Sequence, residues 1–293
     1  MIVTAASDTL VPRIPVGDWI ETAIDWVTDT FDPLFDAVKT FFESIYDGLD
    51  WVLSTPPFFV VAIVLAAIAF WARGWKLALG SLVGFVLIAA MDQWGNAMDS
   101  LALVLLASVV ALLIGIPLGI WSARNEHVSR VVRPILDFMQ TMPAFVYLIP
   151  TVVIFLTGPV PGIIATIVFA LAPGVRFTEL GIRQVDSEVV EAGRAFGSTD
   201  RRILRQIQIP LAMPTIMAGV NQVIMLALSM VVISGMVGAG GLGGDVVGAL
   251  SSVDIALGFE AGLAVVFLAI YLDRVTSALA DRSPVAKALK ATR

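Results

Sequence analysis

Two kinds of polar residue stand out in this sequence: single ones set in long apolar runs, and one dense group at 186–210. The single ones include Asp137, Gln140 and Tyr147, which share the run PILDFMQTMPAFVYLIP with Pro143 and Pro150, and Glu260 in a later run. Inside a membrane such groups either line a polar passage or bond one helix to another, and both readings are open. Pro143 and Pro150 each remove a backbone donor and predict a kink, and broken helices at membrane depth face a cavity or a bundle interior. Glu260 is a candidate as an intramembrane acid, or a solvated group if it sits near the interface. Gly240, Gly241, Gly243 and Asp245, in the link GMVGAGGLGGDVVGAL, fit either a tight re-entrant turn supporting an outer gate or a flexible external loop. Arg176, Glu179 and Arg183 fall on one helix face and predict an internal ion pair.

Other chemistries have few residues to use. The 293 residues include no cysteine and one histidine, His127, which excludes disulfides and thiolate ligands and argues against a His-based metal centre or catalytic dyad. No metal site and no catalytic residue is expected. An intramembrane enzyme would need paired acids at one depth, and none is evident. The chain also has no Gly-x4-Gly-Lys-Ser/Thr loop, so no cofactor is expected on it, and any ATP that drives it must be bound by another subunit.

The elements that position these residues follow from composition. At 58% hydrophobic, 14% charged and mean hydropathy +0.91, this is an all-α, polytopic membrane protein in contact with the lipid bilayer. Seven runs are candidate spans: 57–72, 77–92, 101–123, 135–157, 162–182, 211–234 and 254–272. Lys and Arg occur in the first, third and fifth links and in the tail, and are absent from about 93–100, 158–161 and 235–253. That alternation predicts an outside N-terminus and an inside C-terminus. Before the first span, residues 1–56 are acidic, with ten of the 24 acids ahead of residue 51 against Arg13 and Lys39. Their amphipathic pattern predicts one or two interfacial helices, broken or kinked at Pro33, and the stretch Met1 to Leu10 lacks the marks of a signal peptide. Residues 57–272 then form the membrane domain and 273–293 a cytoplasmic tail. The pairs Gly80-x3-Gly84 and Gly115-x3-Gly119 permit close helix contact.

The dense group, DSEVVEAGRAFGSTDRRILRQIQIP, predicts a cytoplasmic hairpin of two short helices. Ser187 caps the first, Gly197 ends it in a left-handed turn, Ser198 or Thr199 caps the second, and Pro210 closes it. Val189, Ala192 and Phe196 make an apolar stripe that packs either on the protein's own helix ends or on a partner. A DNA-reading helix-turn-helix is disfavoured, because both ends are tied to membrane spans; no nucleic-acid partner is expected.

The order Glu191-Ala192-Gly193, three residues, Gly197, nine residues, Ile207, one residue, Ile209-Pro210 resembles the cytoplasmic signature of ABC importer permeases, Glu-Ala-Ala-x3-Gly-x9-Ile-x-Leu-Pro. It departs at Gly193, which should loosen the helix by about 1 kcal/mol, and at Ile209. The run from Pro134 to Pro150 closely resembles the matching span of permeases for glycine betaine, proline betaine, choline and related osmoprotectants, and the glycine-rich link is similar to the family's segment there. The acidic external extension and the seven spans are also similar, so the resemblance covers roughly 57–275. It implies the type I ABC importer transmembrane fold, working by alternating access as a dimer with a second copy of the chain in a bacterial or archaeal plasma membrane. An ABC ATPase subunit that receives the 186–210 hairpin and a substrate-binding protein are the implied partners. Another cargo such as an amino acid, or a stand-alone secondary transporter, are the rival readings.

Overall fold

In the computed structural model, residues 14–281 are described. The stretch read for a signal peptide and the basic tail beyond 281 lie outside them. Among the described residues the secondary structure is entirely helical. The first helix, α1 (Val16–Ser54), has non-helical dihedrals at Phe31 (φ −113°, ψ 17°), two residues before Pro33, whose ring opposes the carbonyl of Asp29. The kink expected at Pro33 is therefore present. After Thr55–Pro57 the chain turns through 100° into α2 (Phe58–Arg73), followed by α3 (Trp75–Ala90) and α4 (Trp94–Arg124).

Among the described residues, four helices are long and apolar enough to cross a membrane, and the total rises to six if each of two bent pairs is one span. The pairs are α1 with α2, and α5 (Glu126–Thr141) with the segment Ala144–Phe155. At 16 residues, α3 rises only about 24 Å, short of the roughly 30 Å hydrocarbon core. Seven full-length spans are thus not all present.

The run 135–157, read as one span, needs a further correction. It begins inside α5, which starts nine residues earlier at Glu126, and is bent by 109° near Pro143. Met142, ahead of the proline, is extended (ψ 136°), as the steric demand of the following ring requires. A 3-10 turn (Ala144–Tyr147) leads into α6 (Leu148–Phe155). Pro150 does not kink that helix: it lies in the first turn, where a missing N–H costs nothing.

The core is built around α7 (Pro159–Arg183), which packs most extensively against α10 (Ile209–Gly235) and α4. Their contact is backbone-close. A Cβ on Gly119 would stand 2.6 Å from Thr178 Cβ, and one on Gly219 2.6 Å from Phe177 Cβ. Large apolar side chains such as Leu113, Phe138 and Ile149 instead point outward. That inversion of a water-soluble core suits helices whose surroundings are as apolar as their interior. Beyond α10 follow α11 (Gly241–Ser252) and α12 (Ile255–Asp281). Asn221 on α10 donates to Asp273 on α12 (2.8 Å) and accepts from Thr276 (2.8 Å), tying these helices together in their halves nearer the hairpin.

Candidate functional site: a hairpin, its base and a kinked helix

Residues 187–208 fold as the expected hairpin, with changes at its ends. The first helix, α8 (Ser187–Ala195), is capped by Asp186, whose carboxylate accepts from the Glu188 N–H at 2.9 Å, and not by Ser187. Gly197 ends it with φ +78°, the left-handed conformation expected of it. Thr199 occupies the N-cap of α9 (Asp200–Ile203), without a side-chain cap bond. Pro210 does not close this helix. A π-turn over Leu204–Gln208 carries the chain into α10, so that 200–235 is one continuous rod. Widening the helix there spares the Gln206 carbonyl a clash with the proline ring and absorbs the missing N–H.

The two limbs meet through Gly193. A Cβ there would come within 2.8 Å of Ile207 Cδ1 and 3.5 Å of Ile203 Cγ1. Below that contact, buried Leu204 packs with Ile182, Ala212 and Ile216, seating the hairpin on the ends of α7 and α10. The apolar stripe stays outside. Phe196 is 91% exposed, and Val189, Glu191 and Ala192 are exposed too. The stripe therefore does not pack on the chain's own helix ends. Beside it, Thr199, Arg201, Arg202, Arg205 and Gln206 line a basic concavity of about 380 Å³.

At the hairpin's base lies a buried charge cluster. Glu179, 5% exposed, accepts from Ser129 Oγ (2.7 Å) and Arg133 (2.9 Å) on α5 and pairs with Arg183 Nε (3.0 Å) one turn ahead. Arg183 also reaches Glu126 (3.0 Å) and the Ser122 carbonyl (3.0 Å). Arg176, expected in the same pair, turns instead to Asp137 on α5. Sequence spacing exposes the i, i+4 pair; Ser129, Arg133 and Asp137 are distant in sequence and carried no such signal.

Gln140 lines a cavity of about 410 Å³ with Phe169, Pro173, Arg176, Phe177, Gln222 and Leu226. Tyr147 is buried nearby, its ring tilted against Phe169 at 6.1 Å, and its hydroxyl donates to the Met139 carbonyl freed by the break at Pro143. Pro143 itself is exposed at the bend. Glu260 is not brought here: it is exposed near the start of α12, away from the cavity.

The glycine-rich link is no flexible loop. Gly240 (φ +71°) and Gly241 (φ +61°) turn the chain into α11, where a Cβ on Gly243 would fall 2.0 Å from the Val231 carbonyl. Asp245 accepts from Gln93 (2.9 Å) and Asn96 (2.7 Å), and Ser100 Oγ accepts from the Leu242 N–H (2.9 Å). These three partners on and before α4 were not singled out in the sequence.

Residues 115–283 match the family model described as "binding-protein-dependent transport system inner membrane component". The chain belongs to this family. It is 46% identical over 265 residues to the glycine betaine transport system permease protein OpuAB of Bacillus subtilis, covering 90% of this chain and 94% of that one. Identity to the glycine betaine/proline betaine transport system permease protein ProW of Escherichia coli is 47%, over 91% of this chain and 75% of that one. The glycine betaine/carnitine transport permease protein GbuB of Listeria monocytogenes is also 47% identical, over 92% and 96%. Among solved structures, an inward-facing form of the MetNI methionine ABC transporter superposes with TM-score 0.58 at 22% identity, covering 62% of this chain and 91% of that one, a likeness of fold.

Proposed function

We propose that the chain is the membrane-spanning permease subunit of an ATP-driven importer for a quaternary-ammonium osmolyte of the glycine betaine, proline betaine or choline type. The observation that carries this is the identity of 46–47% over about nine-tenths of the chain to permeases named for glycine betaine. The lining is compatible with glycine betaine: Phe169 and Phe177 supply aromatic rings suited to a quaternary ammonium, and Gln140 and Gln222 supply amides suited to a carboxylate.

The chain has no ATP cradle, so a separate ATPase subunit supplies the energy. Its contact is the hairpin, with Glu191, Ala192, Gly193, Gly197, Ile207 and Pro210 in the coupling segment and Phe196 as the apolar anchor. The basic alternation places the hairpin in the cytoplasm, residues 1–56 outside and the tail inside. The 57–272 domain pairs with a second copy in a bacterial or archaeal plasma membrane and receives cargo from a binding protein. Closure of the ATPases draws the paired hairpins together. The Glu179 cluster, joining the hairpin's base to α5, carries that motion to the bend at Pro143 and the cavity beside Gln140.

The test is uptake of labelled glycine betaine, choline, carnitine and proline by vesicles holding this chain with its ATPase and binding protein. Saturable, ATP-dependent uptake of a quaternary ammonium is expected. ATP-driven uptake of proline alone would move the cargo to an amino acid, and gradient-driven flux through the purified chain without ATPase would replace the importer by a secondary transporter.

A further inference from the structure

A second cavity, of about 440 Å³, opens between α2, α3 and α12, away from the Gln140 cavity. Its walls are apolar along most of their length, formed by Leu77, Gly80, Gly84, Phe85, Phe267 and Ile270. Arg73, Lys76 and Arg274 stand among its lining residues. Arg73 and Lys76 have no carboxylate within salt-bridge distance among the described residues, and Arg274 has only Asp273 at 3.9 Å. Three exposed cations thus border one end of an apolar cleft, with Asp273 the one acid close to any of them among the described residues.

Two details show that the cleft is open and unfilled by protein. Gly80 has nothing within 4 Å of where a Cβ would stand, although its partner Gly84 lies against Phe267. The Gly80-x3-Gly84 pair is therefore only half used for helix contact. Ser81 is also among the lining residues, and its buried hydroxyl has no hydrogen-bond partner among the described residues.

The cleft also sits where a lipid can enter. Leu79, Val83, Val266 and Ile270 around it are exposed apolar residues, and Trp71 and Trp75 flank the cationic end, as interfacial aromatics do. The cationic end is on the hairpin side of the bundle: α3 leads away from it to Trp94, where α4 begins, and α4 returns to Arg124 near Arg183.

We propose that this cleft is a binding site for one anionic phospholipid. Arg73, Lys76 and Arg274 hold the headgroup phosphate, and an acyl chain lies along Gly80, Gly84 and Phe267. A basic pocket between membrane helices recognises such headgroups, and the apolar trough distinguishes a lipid from free phosphate. Placing the site in the inner leaflet rests on the proposed cytoplasmic position of the hairpin; the binding itself does not.

The test is native mass spectrometry of the full-length protein in detergent, titrated with phosphatidylglycerol, with phosphatidylcholine, and with inorganic phosphate. Wild type is expected to retain one phosphatidylglycerol in preference to phosphatidylcholine, undisplaced by phosphate. R73Q/K76Q/R274Q should weaken that adduct by about 100-fold, the loss expected on removing three cations at about fivefold each. Gly80→Phe, which fills the trough and keeps every charge, should also abolish it; its fold is checked by an unchanged Tm. Equal retention of the two lipids, displacement by phosphate, or selective retention that survives both variants overturns the proposal. Sidedness is read separately, by labelling a Thr199→Cys variant in intact cells, since the chain has no native cysteine. Labelling from outside would overturn the inner-leaflet placement and the coupling reading while leaving the lipid site standing.

Discussion

Glu179 is a carboxylate at 5% exposure that survives because a hydroxyl and two guanidiniums meet it within 3.0 Å. Removing its charge leaves Arg183 with Glu126 as its one acidic partner, beside the Ser122 carbonyl, and takes the anion from between two guanidiniums; Glu179→Gln should cost about 3 kcal/mol, read as a lower Tm in detergent. Arg133→Gln should cost less, because that side chain is 54% exposed and water replaces part of what it loses. Gly193 is a different case. The atom nearest its missing Cβ is the far end of Ile207, so Gly193→Ala needs only a small shift of that side chain and gains up to about 1 kcal/mol of helix propensity. Uptake by Gly193→Ala should match wild type, whereas Gly193→Phe should separate the limbs and lower uptake at unchanged protein level.

The break between α5 and α6 depends on two residues acting together: Pro143 ends α5, and the Tyr147 hydroxyl satisfies the Met139 carbonyl that the break leaves open. Tyr147→Phe keeps the ring against Phe169 but strands that carbonyl, a cost of about 1–3 kcal/mol visible as a lower Tm. On the far side, Asp245→Leu should strip the Gln93 and Asn96 amides of their shared acceptor, leaving only the 3.3 Å bond from Asn96 to Gln93, and loosen α11, seen as faster amide hydrogen exchange over 241–252 with α7 unchanged. The sequence made the helices and many of their punctuation points legible: the kink at Pro33, the left-handed Gly197 and the close Gly115/Gly119 face all follow from local rules. What it hid was non-local or competitive. Ser129 and Gln93 are ordinary polar residues until folding brings them to Glu179 and Asp245. Asp186 took the cap expected of Ser187 because both residue types cap well and one position decides. Pro210 was read as a stop, since a π-turn that lets a helix run through a proline has no sequence marker of its own.

Across the whole molecule, α7 is the axis: α4 and α10 pack on its sides, α5 is bonded to its hairpin end through Glu179, and the hairpin continues from it directly. In the proposed function, a push on the hairpin travels through these packed glycine contacts and the ion cluster toward the bend at Pro143. The central claim is that this hairpin couples the chain to a separate ATPase, and the most direct measurement is the ratio of glycine betaine taken up to ATP hydrolysed in vesicles holding the full importer, for wild type, Phe196→Ala and Glu191→Arg. All three should fold alike, since both side chains are exposed. The account predicts that both variants lower uptake per ATP at least about tenfold, equivalent to about 1.4 kcal/mol of lost coupling. Wild-type ratios in both would contradict it.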